Sequence, residues 1–105
     1  MLLSEMMEER LLLDTAERVA RYFEDYDPYG FRDVLEAGET IEEGLQRATR
    51  EAYSELKEGN YDTLIGWIFD PDVDDRLAKE QSAIIRQIGR LKRRNSRKGG
   101  ASCSS

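Results

Sequence analysis

A chain of 105 residues with 39% hydrophobic and 36% charged residues has the length of one domain and room for only a modest core. It has no histidine, which removes the usual general base, the commonest metal ligand and every Ser-His or Cys-His nucleophile pair. The net charge of −6 conceals an asymmetry: all 22 acids lie at or before Glu80 with nine of the 16 bases, a balance of −13, while seven bases from Arg86 to Lys98 stand without an acid.

The first predicted helix runs from about Ser4 to Tyr26. Leu12, Ala16, Val19 and Phe23 recur at spacings of four, three and four, one face of a 3.6-residue period. Met6, Met7, Leu11 and Leu13 make its early turns apolar on more than one side. The helix is expected to stop near Asp27, because a residue before proline is pushed out of the helical region. Asp27-Pro28-Tyr29-Gly30 then reads as a turn, and Phe31 to Ala37 as a short helix with Gly38 past its end. Five of the nine aromatic residues fall between Tyr22 and Phe31, so this corner is expected to turn most of them inward.

The next helix has the clearest boundaries. Thr40 and Glu43 have capping-box spacing, Ile41, Leu45, Ala48, Ala52 and Leu56 form an apolar stripe, and Gly59 sits at the C-terminal glycine position. Gly44, Ala48 and Ala52 put small residues on one face, where another element can approach closely. Asn60 is placed to cap a short helix, Tyr61 to Phe69, apolar enough to be buried on most sides. Asp70-Pro71 reads as the start of the last helix, with Val73, Leu77, Ile84, Ile88 and Leu91 at helical spacing and a basic end through Arg94. Residues 95–105 are polar and rich in glycine and serine, the composition of a disordered tail. The fold expected is all-α: one helical domain over residues 1–94, a small bundle of three longer helices and two short ones, followed by a disordered tail at 95–105.

Several activities find no support in the residues. No Gly-rich phosphate loop is present. Asp70, Asp72 and Asp74 imitate the first ligands of a calcium loop, but the sixth and twelfth places hold Asp75 and Gln81 instead of glycine and glutamate. A helix start explains these aspartates better than a metal site. No metal, cofactor or catalytic residue is therefore expected, and the chain is expected to act without enzymatic chemistry. No apolar run approaches 18 residues, so no membrane partner is expected, and the start lacks a basic leader, which makes the cytoplasm the expected location. The lone Cys103 lies in GGASCSS, away from a prenylation position, and reads as an inert thiol.

Two surfaces remain as candidates. The first is the acidic corner, where the stretch Glu24 to Glu43 holds eight acids and one base; Asp25, Asp27, Tyr29 and Asp33 are its candidate partner contacts. The second is the basic end of the last helix, where Arg86, Arg90, Arg93, Arg94 and Arg97 are candidate phosphate or partner contacts. The segments YFEDYDPYGFRDVLEAGET and LKEGNYDTLIGWIFD resemble small acidic proteins of unknown function carried by phages and mobile elements of anaerobic bacteria. The resemblance spans Tyr22 to Phe69, under half of the chain, and implies an accessory or regulatory role, with inhibition of a host nucleic-acid enzyme as one form of it. The expected function is contact with a protein partner, another chain or a second copy of this one. The alternative is a nucleic-acid-associated regulator or inhibitor that uses residues 86–98 or an acidic surface imitating phosphates.

Overall fold

A computed structural model describes the backbone of residues 2–103 and the side chains of residues 7–94. Five helices follow one another, α1 (Leu2–Tyr26), α2 (Pro28–Asp33), α3 (Ile41–Glu58), α4 (Tyr61–Ile68) and α5 (Asp75–Cys103), with no strand among the described residues. Three are long and two are short.

The central element is α1. Leu12, Thr15, Ala16, Val19, Ala20 and Tyr22 are buried along it, the face that the i, i+3, i+4 spacing predicts. Side-chain pairs fix its neighbours' directions. Glu9 of α1 meets Lys57 at the far end of α3 (3.6 Å), while the end of α1 lies beside Gly44 at the start of α3. Residues 25, 18 and 15 of α1 meet 76, 80 and 87 of α5 in descending order. Both long partners therefore run antiparallel to α1. The short α4 closes the gap between α3 and α5, burying Leu64 and Ile68 with Leu56, Ile84 and Ile88. Each of these side chains contributes about 2 kcal/mol by leaving water.

The α1–α5 seam is not purely apolar. The Thr15 hydroxyl donates to the Leu11 carbonyl and accepts from Gln87 Nε2, both at 2.7 Å. Arg18 donates to Glu80 and to Gln87 Oε1. Gln81, buried, donates to the Tyr22 hydroxyl at 3.1 Å and to the Asp70 carbonyl at 3.0 Å. Every polar group in this seam is satisfied, so the seam orients α5 against α1 at little desolvation cost.

The two Asp-Pro pairs behave differently from their sequence readings. Asp27-Pro28 does not make a free turn: Asp27 takes an extended conformation, its carboxylate accepts from the Gly30 N–H at 3.0 Å, and Pro28 opens α2. The short helix is thus Pro28–Asp33, not Phe31 to Ala37, and Gly38, with φ +80°, sits in the turn that follows. Asp70-Pro71, by contrast, does not start the last helix. The Asp70 carboxylate is occupied by the Asp72 N–H and by the Tyr26 hydroxyl, and the helix begins at Asp75, with Asp74 accepting from the Leu77 N–H at 2.9 Å.

The signals around α3 hold. Thr40 and Glu43 make both bonds of the capping box, and Gly59 ends the helix in the left-handed region at φ +82°. Asn60 occupies the N-cap place of α4 but makes no capping bond; its amide donates to Glu55 and Glu58 instead. At the other end of the chain α5 extends to Cys103, past Arg94 where a tail is expected to begin, so the expected disorder of 95–105 is not shown.

Candidate functional site

A groove opens where the end of α1, the α2 corner, the first half of α3 and α4 meet. Phe23, Tyr26, Asp27, Phe31, Val34, Leu35, Gly44, Arg47, Ala48, Glu51 and Trp67 line it, and its volume is about 460 Å³. Gly44 forms part of the floor. A Cβ built there would stand 2.2 Å from Leu35 Cδ2 and 3.3 Å from Phe31 Cε1, so the absence of a side chain is what lets the corner close over α3. The small-residue face of α3 thus receives the α2 corner at Gly44, while Ala52, further along, is buried in the main core.

Several of the apolar residues at the groove are open to solvent. Tyr26 is 44% exposed, Trp67 47% and Val34 64%, and Phe69, next to Asp70, is 59% exposed. The Trp67 ring leans on Phe23 with centroids 6.5 Å apart. This corrects one expectation. The short fourth helix is not buried on most sides, because Tyr61, Leu64 and Ile68 form one inward face and Trp67 falls off it. The aromatic corner also divides: Tyr22 and Phe31 are buried and Phe23 half-buried, whereas Tyr26 and Tyr29 face outward.

Two pairs of charged or polar groups at the groove are already committed to each other. Arg47, its only cation, donates to both carboxylate oxygens of Glu39 (2.9 and 3.2 Å) and to the Val34 carbonyl (3.0 Å). That bond, with the Glu36 N–H on the same carboxylate, lowers the Glu39 pKa to about 2 and raises that of Arg47. The Tyr26 hydroxyl donates to Asp70, which raises the tyrosine pKa and lowers that of the aspartate; the Asp72 N–H lowers the latter further. Both shifted carboxylates move away from the range in which a general acid works.

Of the candidate corner residues, Asp25 is paired with Arg76 and Asp27 caps α2, so neither is a free acid. Tyr29 is 79% exposed and Asp33 is exposed. Only Asp27 of the four lines the groove. On α5, Arg86, Arg90, Arg93 and Arg94 are exposed and make no ion pair among the described residues, while Lys92 is tied to Asp62 at 3.0 Å. The Arg97 side chain lies outside the described residues. Among the described residues no cluster of three or more histidine, cysteine or acidic side chains is arranged to hold a metal ion, and no helix is long and apolar enough to cross a membrane.

Sequence reasoning singled out the acids of this corner and missed Val34, Trp67 and Phe69. A signal for Trp67 was present: Tyr61, Leu64, Ile65 and Ile68 fit one helical face, and position 67 does not. No protein-family model matches the chain, and neither a curated protein nor a solved structure does.

Proposed function

We propose that this protein works by contact, as a small helical interaction or accessory protein without enzymatic chemistry, and that a partner protein docks on the groove between α2, α3 and α4. The observation that carries this reading is the joint exposure of Tyr26, Val34 and Trp67 on an apolar depression that the other described residues leave uncovered. Single exposed apolar residues are ordinary; several bordering one groove favour an interface. The accessory role implied by the resemblance to mobile-element proteins agrees with this reading. The test is recovery of a specific partner by the intact chain and its loss from Trp67→Ala and Val34→Ser variants of unchanged helicity. A partner retained equally by both variants would place the contact elsewhere. Reversal of Asp25 or Asp27 is a poorer test, because each supports the fold through Arg76 or the α2 cap.

One observation favours the second reading, a nucleic-acid-associated regulator. Arg86, Arg90 and Arg93 recur at helical spacing on α5, exposed and without acidic neighbours in sequence. That reading predicts affinity for duplex or single-stranded DNA or RNA that falls steeply with salt and vanishes in the Arg86→Glu, Arg90→Glu, Arg93→Glu triple variant. Absence of binding by the intact chain at low salt removes it.

A further inference from the structure

Taking the groove as the docking site, we infer that its occupant is an amphipathic helical segment of another protein, carrying apolar anchors and a lysine- or arginine-rich flank. The apolar surface does not end at the groove. Tyr26, Val34 and Trp67 stand at its margin, so a small molecule sunk among Phe31, Leu35 and Ala48 would leave these side chains wet. A helix laid across the mouth covers them, placing anchors three and four residues apart into the depression.

The charge preference follows from the lining. Arg47 is paired with Glu39, and its Nε and Nη2 donate to that carboxylate and the Val34 carbonyl. What remains of the lining charge is negative: Glu51, exposed and held only by a 3.9 Å pair with Arg47, and Asp27, whose carboxylate caps α2 but has no cation partner among the described residues. The segment that carries Val34 and Leu35 adds the exposed Asp33 and Glu36 against one exposed cation, Arg32, and so is net negative. An incoming helix therefore meets apolar contact at the centre and negative charge at the edge, which favours a cationic flank and disfavours an anionic one. The basic helix of a second copy does not fit. Its apolar residues Ile84, Ile88 and Leu91 are buried in its own core, so it brings charge without anchors.

Trp67 is the only tryptophan, so its fluorescence reports on this groove alone. The probes are three synthetic helical peptides: leucine anchors at i, i+3 and i+7 with lysine flanks, the same anchors with glutamate flanks, and lysine flanks with serine in place of leucine. The first is expected to blue-shift Trp67 emission saturably, the second to bind about tenfold more weakly, and the third to leave the emission unchanged. Glu51→Gln is expected to narrow the difference between the first two. Equal binding of the glutamate-flanked peptide overturns the basic partner and leaves the groove reading standing. A response to the serine peptide equal to that of the leucine peptide overturns the anchored mode. No response to any peptide overturns both readings; a concentration-dependent dimer in which Trp67 is already shielded overturns the foreign helix and leaves the groove as the contact.

Discussion

Gly44 offers the sharpest test of how the groove is built. Alanine at this position gains up to about 1 kcal/mol, the difference between glycine and alanine inside a helix. Against this, the new Cβ falls 2.2 Å from Leu35 Cδ2 and 3.3 Å from Phe31 Cε1, so Leu35 must move and the Phe31 ring must give slightly. Overpacking of this kind costs about 1–3 kcal/mol, and the lower end applies because Leu35 is half-buried and presents a mobile methyl. Gly44→Ala alone should therefore change stability little, or lower it by about 1 kcal/mol. In a Leu35→Ala background the main obstruction is gone and the helix gain should reappear, making Gly44→Ala stabilising by about 1 kcal/mol. The two substitutions should thus couple by about 1 kcal/mol or more. Urea unfolding followed by Trp67 fluorescence and far-UV circular dichroism measures this as a shift in midpoint at constant slope. If Gly44→Ala stabilises both backgrounds equally, Leu35 does not lie over Gly44 and the floor of the groove is wrongly drawn.

The Glu39 carboxyl, held at about 2 by Arg47 and the Glu36 N–H, binds its proton less readily folded than unfolded, where a value of about 4.3 applies. Its contribution to stability is therefore complete above that unfolded value and is lost as pH falls towards 2; Glu39→Gln should flatten the acid limb of a stability-against-pH profile in that window. Thr40→Ala removes the capping bond to the Glu43 N–H and should cost about 1 kcal/mol in the same urea assay. Thr15→Val deletes a fully buried hydroxyl that both donates to Leu11 and accepts from Gln87, and should cost about 1–2 kcal/mol, with a Gln87→Leu partner substitution recovering part of it. Tyr26→Phe removes the bond to Asp70; hydrogen exchange should then quicken at the Asp72 N–H and leave the α1–α3 amides unchanged.

The legible parts of the fold were those fixed by local chemistry. A capping box, a glycine that must take positive φ, and apolar residues at 3.6-residue spacing are decided within a few positions of chain, and α1, α3 and the inward face of α4 follow from them. The Asp-Pro pairs were not legible, because the same dipeptide serves a helix start or a turn according to what else the aspartate binds. Asp27 has only the Gly30 N–H to satisfy, whereas Asp70 is claimed by Tyr26, 44 positions away in the chain. The polar seam of Thr15, Arg18, Glu80, Gln81 and Gln87 was hidden for the same reason: each residue looks like an ordinary surface side chain until α5 is laid antiparallel on α1.

The corner around Pro28 shows what that long-range information does to a functional reading. From composition, its aromatics belong inside and its acids outside, which makes the acids the contact surface. The structure keeps these acids outside but pairs most of them, and leaves two of the five aromatics outside as well. Asp25 is spent on Arg76, Asp27 on the α2 cap, Glu39 on Arg47, Glu43 on the α3 cap and Asp70 on Tyr26. Those bonds tie the corner's segments together, while the apolar side chains Tyr26, Val34 and Trp67 at the groove remain exposed among the described residues. Carboxylates already paired within the fold add little to a new contact, because a partner must compete with the bonds they have made. Tyr26, tied to Asp70, and Trp67, packed on Phe23, have no such competitor for their apolar faces. Under the proposed docking, the acids build the surface and bias which charge approaches it, and the contact energy comes from Tyr26, Val34 and Trp67.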